Sequence, residues 1–274
     1  MRSLITGANG FLGVHLSAEL TKIGHEVIPL DWQKLFNLNN LKKIINNSQA
    51  DYIFHCAAYG NKYTQKDEKQ MVKSNIIGTC NLLEASRHIP YKAFINTASS
   101  SMYGEKYHPM NELDSLDSDT FYGVTKASGA LICRAFAKKY NKPVITAIPF
   151  SVYGPNDDPA HFIPTAIDCF KNNKELKLAP GMHDWIYIDD YIVGLLTLIE
   201  NAEKLQGMMI NIGTGHQSSN VEIIAILKQI FSKPGKIKHI GQIRSYDTNM
   251  WVADNSLLKE LGWKQQFSLE EGLE

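Results

Sequence analysis

Thr6-Gly7-Ala8-Asn9-Gly10-Phe11-Leu12-Gly13 decides the fold. An apolar run at 3–6 precedes it, and residues 11–23 carry helical spacing through Leu12, His15, Leu16 and Leu20. Glycines at these places permit a tight strand-to-helix turn and let backbone approach a pyrophosphate, whose charge meets the first N–H groups of the helix. A glycine triplet alone is a weak signal, so its setting matters. A second strand is expected at 26–30, and Asp31 stands at its end, 18 residues after Gly13. A carboxylate there either accepts hydrogen bonds from an adenosine ribose or caps a turn. In the first role it would repel a 2′-phosphate. Lys34 is the nearby cation and no Arg follows closely, which favours NAD over NADP.

Further along, the pattern keeps alternating. A short helix is expected at 41–47, a buried strand at 51–58, a long helix at 67–88, a strand at 93–97, a helix at 121–140 and a strand at 144–148. Such alternation predicts an α/β fold, a Rossmann-type doubly wound parallel sheet with right-handed crossovers and helices on both faces. After about residue 150 turn chemistry intervenes, as in Gly154-Pro155-Asn156-Asp157-Asp158-Pro159. It separates a helix near 163–172, a strand near 208–212 and a helix near 221–231. The expected division is a dinucleotide-binding domain over 1–150 and, over 151–274, a smaller lobe that binds substrate and returns some segments to the sheet.

Composition narrows the partners. Lys plus Arg and Asp plus Glu both total 28, so no basic excess draws the chain to nucleic acid or anionic lipid. The four cysteines are widely spaced in apolar surroundings, which fits buried thiols in a reducing compartment and no metal site. No apolar run approaches 18 residues, so neither a membrane span nor a signal peptide is expected and the cytoplasm is the expected location.

Two polar groupings carry the chemistry. Tyr122 and Lys126 stand four apart on an expected helix, hence on one face. A phenol with a pKa near 10 is a poor base at neutral pH, but a cation at about 4 Å in an effective dielectric of about 20 is worth roughly 4 kcal/mol, or about three pKa units. Tyr122 so tuned could exchange a proton with a sugar hydroxyl or carbonyl. Alone, this spacing also fits a solvated helix face. Ser99 follows the expected strand at 93–97, at the carboxyl end where α/β sheets bind ligands, and either holds the reacting oxygen or caps its own loop.

Taken together, the chain resembles the extended short-chain dehydrogenase/reductase family, whose members act on nucleotide sugars. The likeness rests on the glycine turn, Asp31, His55-Cys56-Ala57-Ala58, Asn75, Ser99, and Tyr122 with Lys126. Ser151-Val152-Tyr153-Gly154-Pro155, His183-Asp184-Trp185-Ile186-Tyr187-Ile188-Asp189-Asp190, Asn211-Ile212-Gly213-Thr214-Gly215 and the closing Ala253-Asp254 through Leu261-Gly262-Trp263 extend it. The resemblance implies that Ser99, Tyr122 and Lys126 are catalytic. It implies that Gly7, Asn9, Gly10, Phe11, Leu12, Gly13, Asp31, Ala57, Ala58, Asn75 and Lys126 hold NAD, with NADP the lesser alternative. Ser100, Ser151, His161, His183 and Arg244 are the implied substrate contacts, with Phe162 beside His161 near the base. It also implies a homodimer packed through the helices at 67–88 and 121–140, whose apolar positions would equally suit plain core. Three departures bear on substrate: Ile148 and His183 stand where much of the family has arginine, and Ser151 where it has asparagine.

Three reactions come into question. Dehydratases of the group carry acidic residues after the catalytic hydroxyl, but Ser100 and Ser101 stand there. A 4-ketoreductase and a 4-epimerase with tightly held NAD need the same three residues. Only about six residues separate Asp31 from the next helix, where epimerases of the family usually carry a longer segment, so the resemblance implies reduction of a 4-keto sugar as the expectation, with epimerisation the alternative. A dinucleotide-binding regulator without turnover is a further alternative, at odds with the retained Tyr122 and Lys126.

Overall fold

A computed structural model describes residues 1–241 and 250–274. In chain order its strands and helices are β1 (Arg2–Thr6), α1 (Phe11–Lys22), β2 (Glu26–Leu30), α2 (Leu38–Ser48), β3 (Tyr52–His55), α3 (Glu68–Val72), α4 (Gly78–Ser86) and β4 (Ala93–Thr97). Then come α5 (Phe121–Tyr140), β5 (Val144–Pro149), β6 (Ser151–Tyr153), α6 (Phe162–Lys171), β7 (Glu175–Leu178), β8 (Met182–His183), β9 (Trp185–Tyr187) and α7 (Ile188–Glu200). Finally, β10 (Met209–Ile212), β11 (Ser218–Ser219), α8 (Asn220–Ile230), β12 (Lys236–His239), α9 (Ser256–Glu260) and α10 (Leu269–Leu273) complete the set.

Six strands form one parallel sheet in the order β10-β5-β4-β3-β1-β2. Successive side chains of a strand point to opposite faces, and here both faces are apolar. Ile5, Phe54, Ile95 and Ile145 join Leu16 and Leu20 of α1 and Tyr191, Ile192 and Leu195 of α7. Their immediate neighbours Leu4, Ile53, Phe94 and Val144 turn the other way, onto α2, α4 and α5 through Leu41, Ile45, Leu82 and Phe136. Double coverage explains why these strands read as unbroken apolar runs. The chain leaves β1 for β2 on one side and returns to β3 on the other, so a crevice opens at the carboxyl ends beside β1.

Beyond that sheet, β6 pairs with β9, β7 with β12, and β8 with β11. A third apolar cluster lies there, in which Ile163 and Phe170 of α6 meet Leu176 of β7 and Ile223 and Leu227 of α8.

Three elements depart from expectation. The expected helix at 67–88 is interrupted by a π turn over Lys73–Ile77, which divides α3 from α4. The expected strand at 51–58 ends at His55, and Cys56, Ala57 and Ala58 become cleft wall. Helix α7, which the sequence pattern did not signal, is a central piece of the core. Among the described residues no helix is long and apolar enough to cross a membrane.

Candidate active site

A cleft of about 1490 Å³ runs along the carboxyl ends of β1, β3, β4 and β5. It exceeds the roughly 300–1,000 Å³ of a common small-molecule site, which leaves room for two extended ligands side by side.

The glycine turn forms one end. Gly7, Asn9, Gly10, Phe11, Leu12 and Gly13 all line the cleft. Gly10 N–H donates to Gly7 O at 2.9 Å, which closes the turn. A Cβ on Gly13 would sit 2.1 Å from Gly7 O, so the helix can start this close to the turn only without a side chain. No side chain caps α1, and its first turn holds no acidic residue. Its leading N–H groups are therefore suited to a pyrophosphate, and the residues present fit a dinucleotide.

Asp31 sits at the end of β2, but its Oδ1 accepts a hydrogen bond from Gln33 N–H at 2.9 Å. It thus caps a short 3₁₀ turn over Trp32–Phe36. The cleft wall here is Trp32, Leu35 and Phe36 rather than Asp31. Trp32 meets Phe36 edge-on at 5.5 Å, and Lys73 Nζ lies 4.5 Å from the Phe36 ring centre.

Ala57 and Ala58 line the cleft where β3 ends. Asn75 does not. It is buried in the π turn, where Oδ1 accepts from Tyr59 N–H at 2.9 Å and Nδ2 donates to Tyr59 O and Thr125 Oγ1 at 2.8 and 3.0 Å. Its amide fastens the loop after β3 to α5, and its neighbours Gln70 and Ser74 face the cleft instead.

Behind this wall runs a buried relay. Thr79 Oγ1 donates to Asn75 O at 2.8 Å, so toward His55 it can only accept, and His55 Nε2 at 3.0 Å must carry the proton. His55 Nδ1 then accepts from Thr6 Oγ1 at 2.7 Å, and Thr6 Oγ1 accepts from Ala57 N–H at 3.2 Å. Burial and the Lys126 charge hold the imidazole neutral, with its pKa pushed down to about 3.

Ser99, Tyr122 and Lys126 line the cleft together. Ser99 caps the short turn after β4, its Oγ accepting from Ser101 N–H at 3.2 Å. Tyr122 stands in the first turn of α5, which Thr120 caps by accepting from Gly123 N–H at 3.1 Å. Gly60, at φ 110°, lets the loop after β3 press on the phenol: a Cβ there would lie 2.9 Å from Tyr122 Cδ2. Lys126 is buried and donates to Thr97 O at the end of β4.

The electrostatics differ from the sequence argument. Burial raises the Tyr122 phenol to about 12, and the Ser99 hydroxyl hydrogen-bonded to it pulls the other way. Lys126 is itself lowered to about 8 by burial, and its charge acts on His55, Cys56 and Cys133. The ammonium is anchored on a β4 carbonyl, and its charge bears on groups at the end of β3 and on α5 rather than on the phenol.

Among the implied substrate contacts, Ser151, His161 and His183 line the cleft. Ser151 Oγ lies 3.4 Å from His183 Nδ1, and burial lowers His183 to about 4. Ser100 does not line it. Its hydroxyl is buried and accepts from Trp251 Nε1 at 3.0 Å, while Ser101 faces the cleft instead. Arg244 lies outside the described residues. Lys62, Lys126 and Lys177 are the lysines on the wall. Asp184 and Asp190 are structural anchors: Asp184 accepts from the N–H groups of Thr214, Gly215 and Ala253, and Asp190 from those of Gln266 and Phe267. Trp32, Phe36, Gly60, Ser101 and Lys177 were not singled out from sequence. Only Gly60, in a turn-like Tyr-Gly-Asn triplet, carried a local signal.

The chain also compares with known proteins. The sequence pattern of the NAD dependent epimerase/dehydratase family matches residues 3–213. A Bacillus subtilis protein, described as an uncharacterized UDP-glucose epimerase, is 29% identical over 308 residues, covering 100% of this chain and 96% of that protein. The crystal structure of UDP-glucuronic acid 4-epimerase from Bacillus cereus, in complex with UDP-glucuronic acid and NAD, superposes with a TM-score of 0.87 at 29% identity, covering 100% and 96% of the two chains. That of UDP-glucose 4-epimerase from Thermotoga maritima with UDP-glucose gives a TM-score of 0.90 at 25% identity, with the same coverage. By sequence pattern, fold and cleft alike, this chain belongs to the NAD dependent epimerase/dehydratase family.

Proposed function

We propose that the protein is a 4-epimerase of a nucleoside-diphosphate sugar that keeps its NAD through the cycle. The observation that carries this reading is the meeting of Ser99, Tyr122 and Lys126 with the glycine turn in one cleft large enough for dinucleotide and sugar nucleotide together. Gly7 to Gly13, Ala57 and Ala58 would hold the cofactor, with Trp32 and Phe36 walling its adenosine end. Bound NAD supplies reversible hydride exchange at a sugar carbon. Tyr122 would accept the proton of the C4 hydroxyl as that carbon gives up a hydride, and return it to the same oxygen after the keto sugar has turned so that the hydride comes back to the opposite face of the carbon. Ser99 donates a hydrogen bond to the same oxygen. The phenol is high in the free protein, so a positive charge brought by the oxidised cofactor would lower it toward working pH.

The 4-epimerase names of the relatives weigh for epimerisation and against the reductase expected from sequence. The short segment after Asp31 that suggested reduction is a compact aromatic wall. Retention of cofactor has support in contacts that tie the two rims. His15 Nε2 lies 2.8 Å from Pro155 O, His161 Nε2 lies 3.3 Å from Asn61 O, and Lys62 pairs with Asp158 at 2.9 Å. A homodimer through α4 and α5 is part of the proposal, supported by the exposed Ile77 beside α4 and Phe121, Val124 and Leu131 on α5.

The test releases bound small molecules from purified protein and identifies them by mass. It then offers UDP-glucose and UDP-glucuronic acid without added cofactor. Retained NAD and interconversion at C4 are expected. An empty site that consumes added NADH stoichiometrically on a 4-keto sugar would overturn the reading in favour of reduction.

A further inference from the structure

Residues 156–162 all line the cleft, and the segment is tied at both ends to elements across it. At one end His15 Nε2 of α1 donates to Pro155 O at 2.8 Å. At the other, Lys62 pairs with Asp158 at 2.9 Å and His161 Nε2 faces Asn61 O at 3.3 Å. Helix α1 starts at the glycine turn, and Asn61 follows Gly60, which packs on Tyr122. The segment is therefore a strap that crosses from the glycine turn to the phenol.

The His161 ring meets an acceptor at each nitrogen. Nδ1 lies 2.8 Å from Asp157 Oδ1, which also accepts from Asp158 N–H at 2.7 Å. Neither a carboxylate nor the Asn61 carbonyl has a proton to give, so both contacts are hydrogen bonds only when both ring nitrogens carry hydrogen. A neutral imidazole carries one, and its other nitrogen then turns a lone pair on an oxygen. The Asp157 side chain is 4% exposed, and among the described residues His161 is its only ion-pair partner. A carboxylate buried that far needs a cation. Asp158 adds a second negative charge near the ring, and Lys62 offsets it from the loop after β3. The four groups are thus neutral together only with His161 charged. Its hydrogen bond to Asp157 outweighs burial and holds the imidazole above the usual 6.5.

We propose that His161 is a proton-operated clasp: doubly protonated, it closes the strap over the ligands, and loss of one proton to solvent frees the strap. The neutral ring keeps the charge-assisted bond to Asp157 and gives up the one to Asn61. Because the closed strap binds the proton more tightly, closure is complete below about pH 6.5 and is lost as pH rises through the raised value. The clasp rests on the reading that this cleft retains NAD, and it makes that retention answer to pH.

Purified protein carrying its NAD is mixed with an excess of isotopically labelled NAD between about pH 6 and 9, and replacement of the original cofactor is followed by mass. Exchange should be at least about tenfold faster at the upper end, a loss of about 1.4 kcal/mol of closure, along a one-proton curve. His161→Ala should exchange fast at every pH. Asp157→Asn should move the step to lower pH, because an amide oxygen holds the proton less firmly. A rate independent of pH in the wild type, or a step that survives in His161→Ala, would overturn the clasp. A protein that neither carries nor binds NAD would instead sink the retained-cofactor reading. The clasp is then decided by NMR of the His161 ring in the ligand-free protein: a titration midpoint above 6.5 supports it, and one at or below 6.5 overturns it.

Discussion

Replacing Lys126 with Met tests the electrostatic account of the site. The ammonium is buried and lowered from the usual 10.5 to about 8. Keeping that charge in the folded protein at neutral pH therefore costs about 3 kcal/mol, at about 1.4 kcal/mol for each tenfold change in the protonation equilibrium. Met keeps most of the stem but orphans Thr97 O, which costs about 1–3 kcal/mol. Cofactor-free Lys126→Met should therefore be about 1–2 kcal/mol more stable than wild type at pH 7, although inactive. Because the folded pKa is depressed, the unfolded chain holds the extra proton between pH 8 and 10.5, and wild-type stability rises across that window. The advantage of the variant should accordingly shrink from pH 8 upward and vanish or invert near 10.5. Urea unfolding at several pH values measures the difference directly. A variant several kcal/mol less stable at pH 7, or a difference independent of pH between 7.5 and 10, would refute the reasoning.

Three further outcomes are expected. Tyr122→Phe should lower turnover by about 10²–10⁴-fold and leave bound NAD in place, as read by product formation and cofactor content; unchanged turnover would remove the proton carrier. Gly13→Ala forces a Cβ to within 2.1 Å of a backbone oxygen, so the purified variant should have lost its NAD while remaining folded by circular dichroism. His55 and His183, lowered to about 3 and about 4, take up protons below pH 6.5 mainly in the unfolded chain, so stability is complete above that pH and declines as it falls toward 4, by up to about 3 kcal/mol for each; a flat urea-unfolding profile between pH 7 and 4.5 would mean that these rings are not held neutral.

Much of the sheet was legible because each of its strands either follows a turn signal or is an apolar run, and the helix Phe121–Tyr140 was bounded correctly from its periodicity. The helix Ile188–Glu200 escaped because it packs on the sheet beside α1 and is apolar on most of its surface: along the less buried positions 189, 193, 196 and 200 stand Val193 and Leu196, so the polar stripe that a 3.6-residue period would display is broken. The π turn before Gly78 is likewise silent in sequence, since its register answers to Asn75 bonding across to Tyr59, 16 residues away. At the site, residue types and spacing brought Ser99, Tyr122 and Lys126 to one cleft, but could not say that Lys126 would hang on Thr97 O or that Ser100 would turn to Trp251. Those outcomes depend on partners 29 and 151 residues away, which no local pattern encodes.

The relay behind the cleft wall has a consequence for anyone who would redesign the site. From Thr6 through His55 and Thr79 the hydrogens run one way and end on the backbone carbonyl of Asn75, while the side-chain amide of Asn75, held by Tyr59, donates to Thr125 and Thr125 to the carbonyl of Tyr122. A proton added at His55 has to be accommodated by Thr6 and Thr79, and both stretches meet on Asn75. The loop after β3 and the helix that presents the phenol thereby share one fastening, so a change at Asn75 disturbs both.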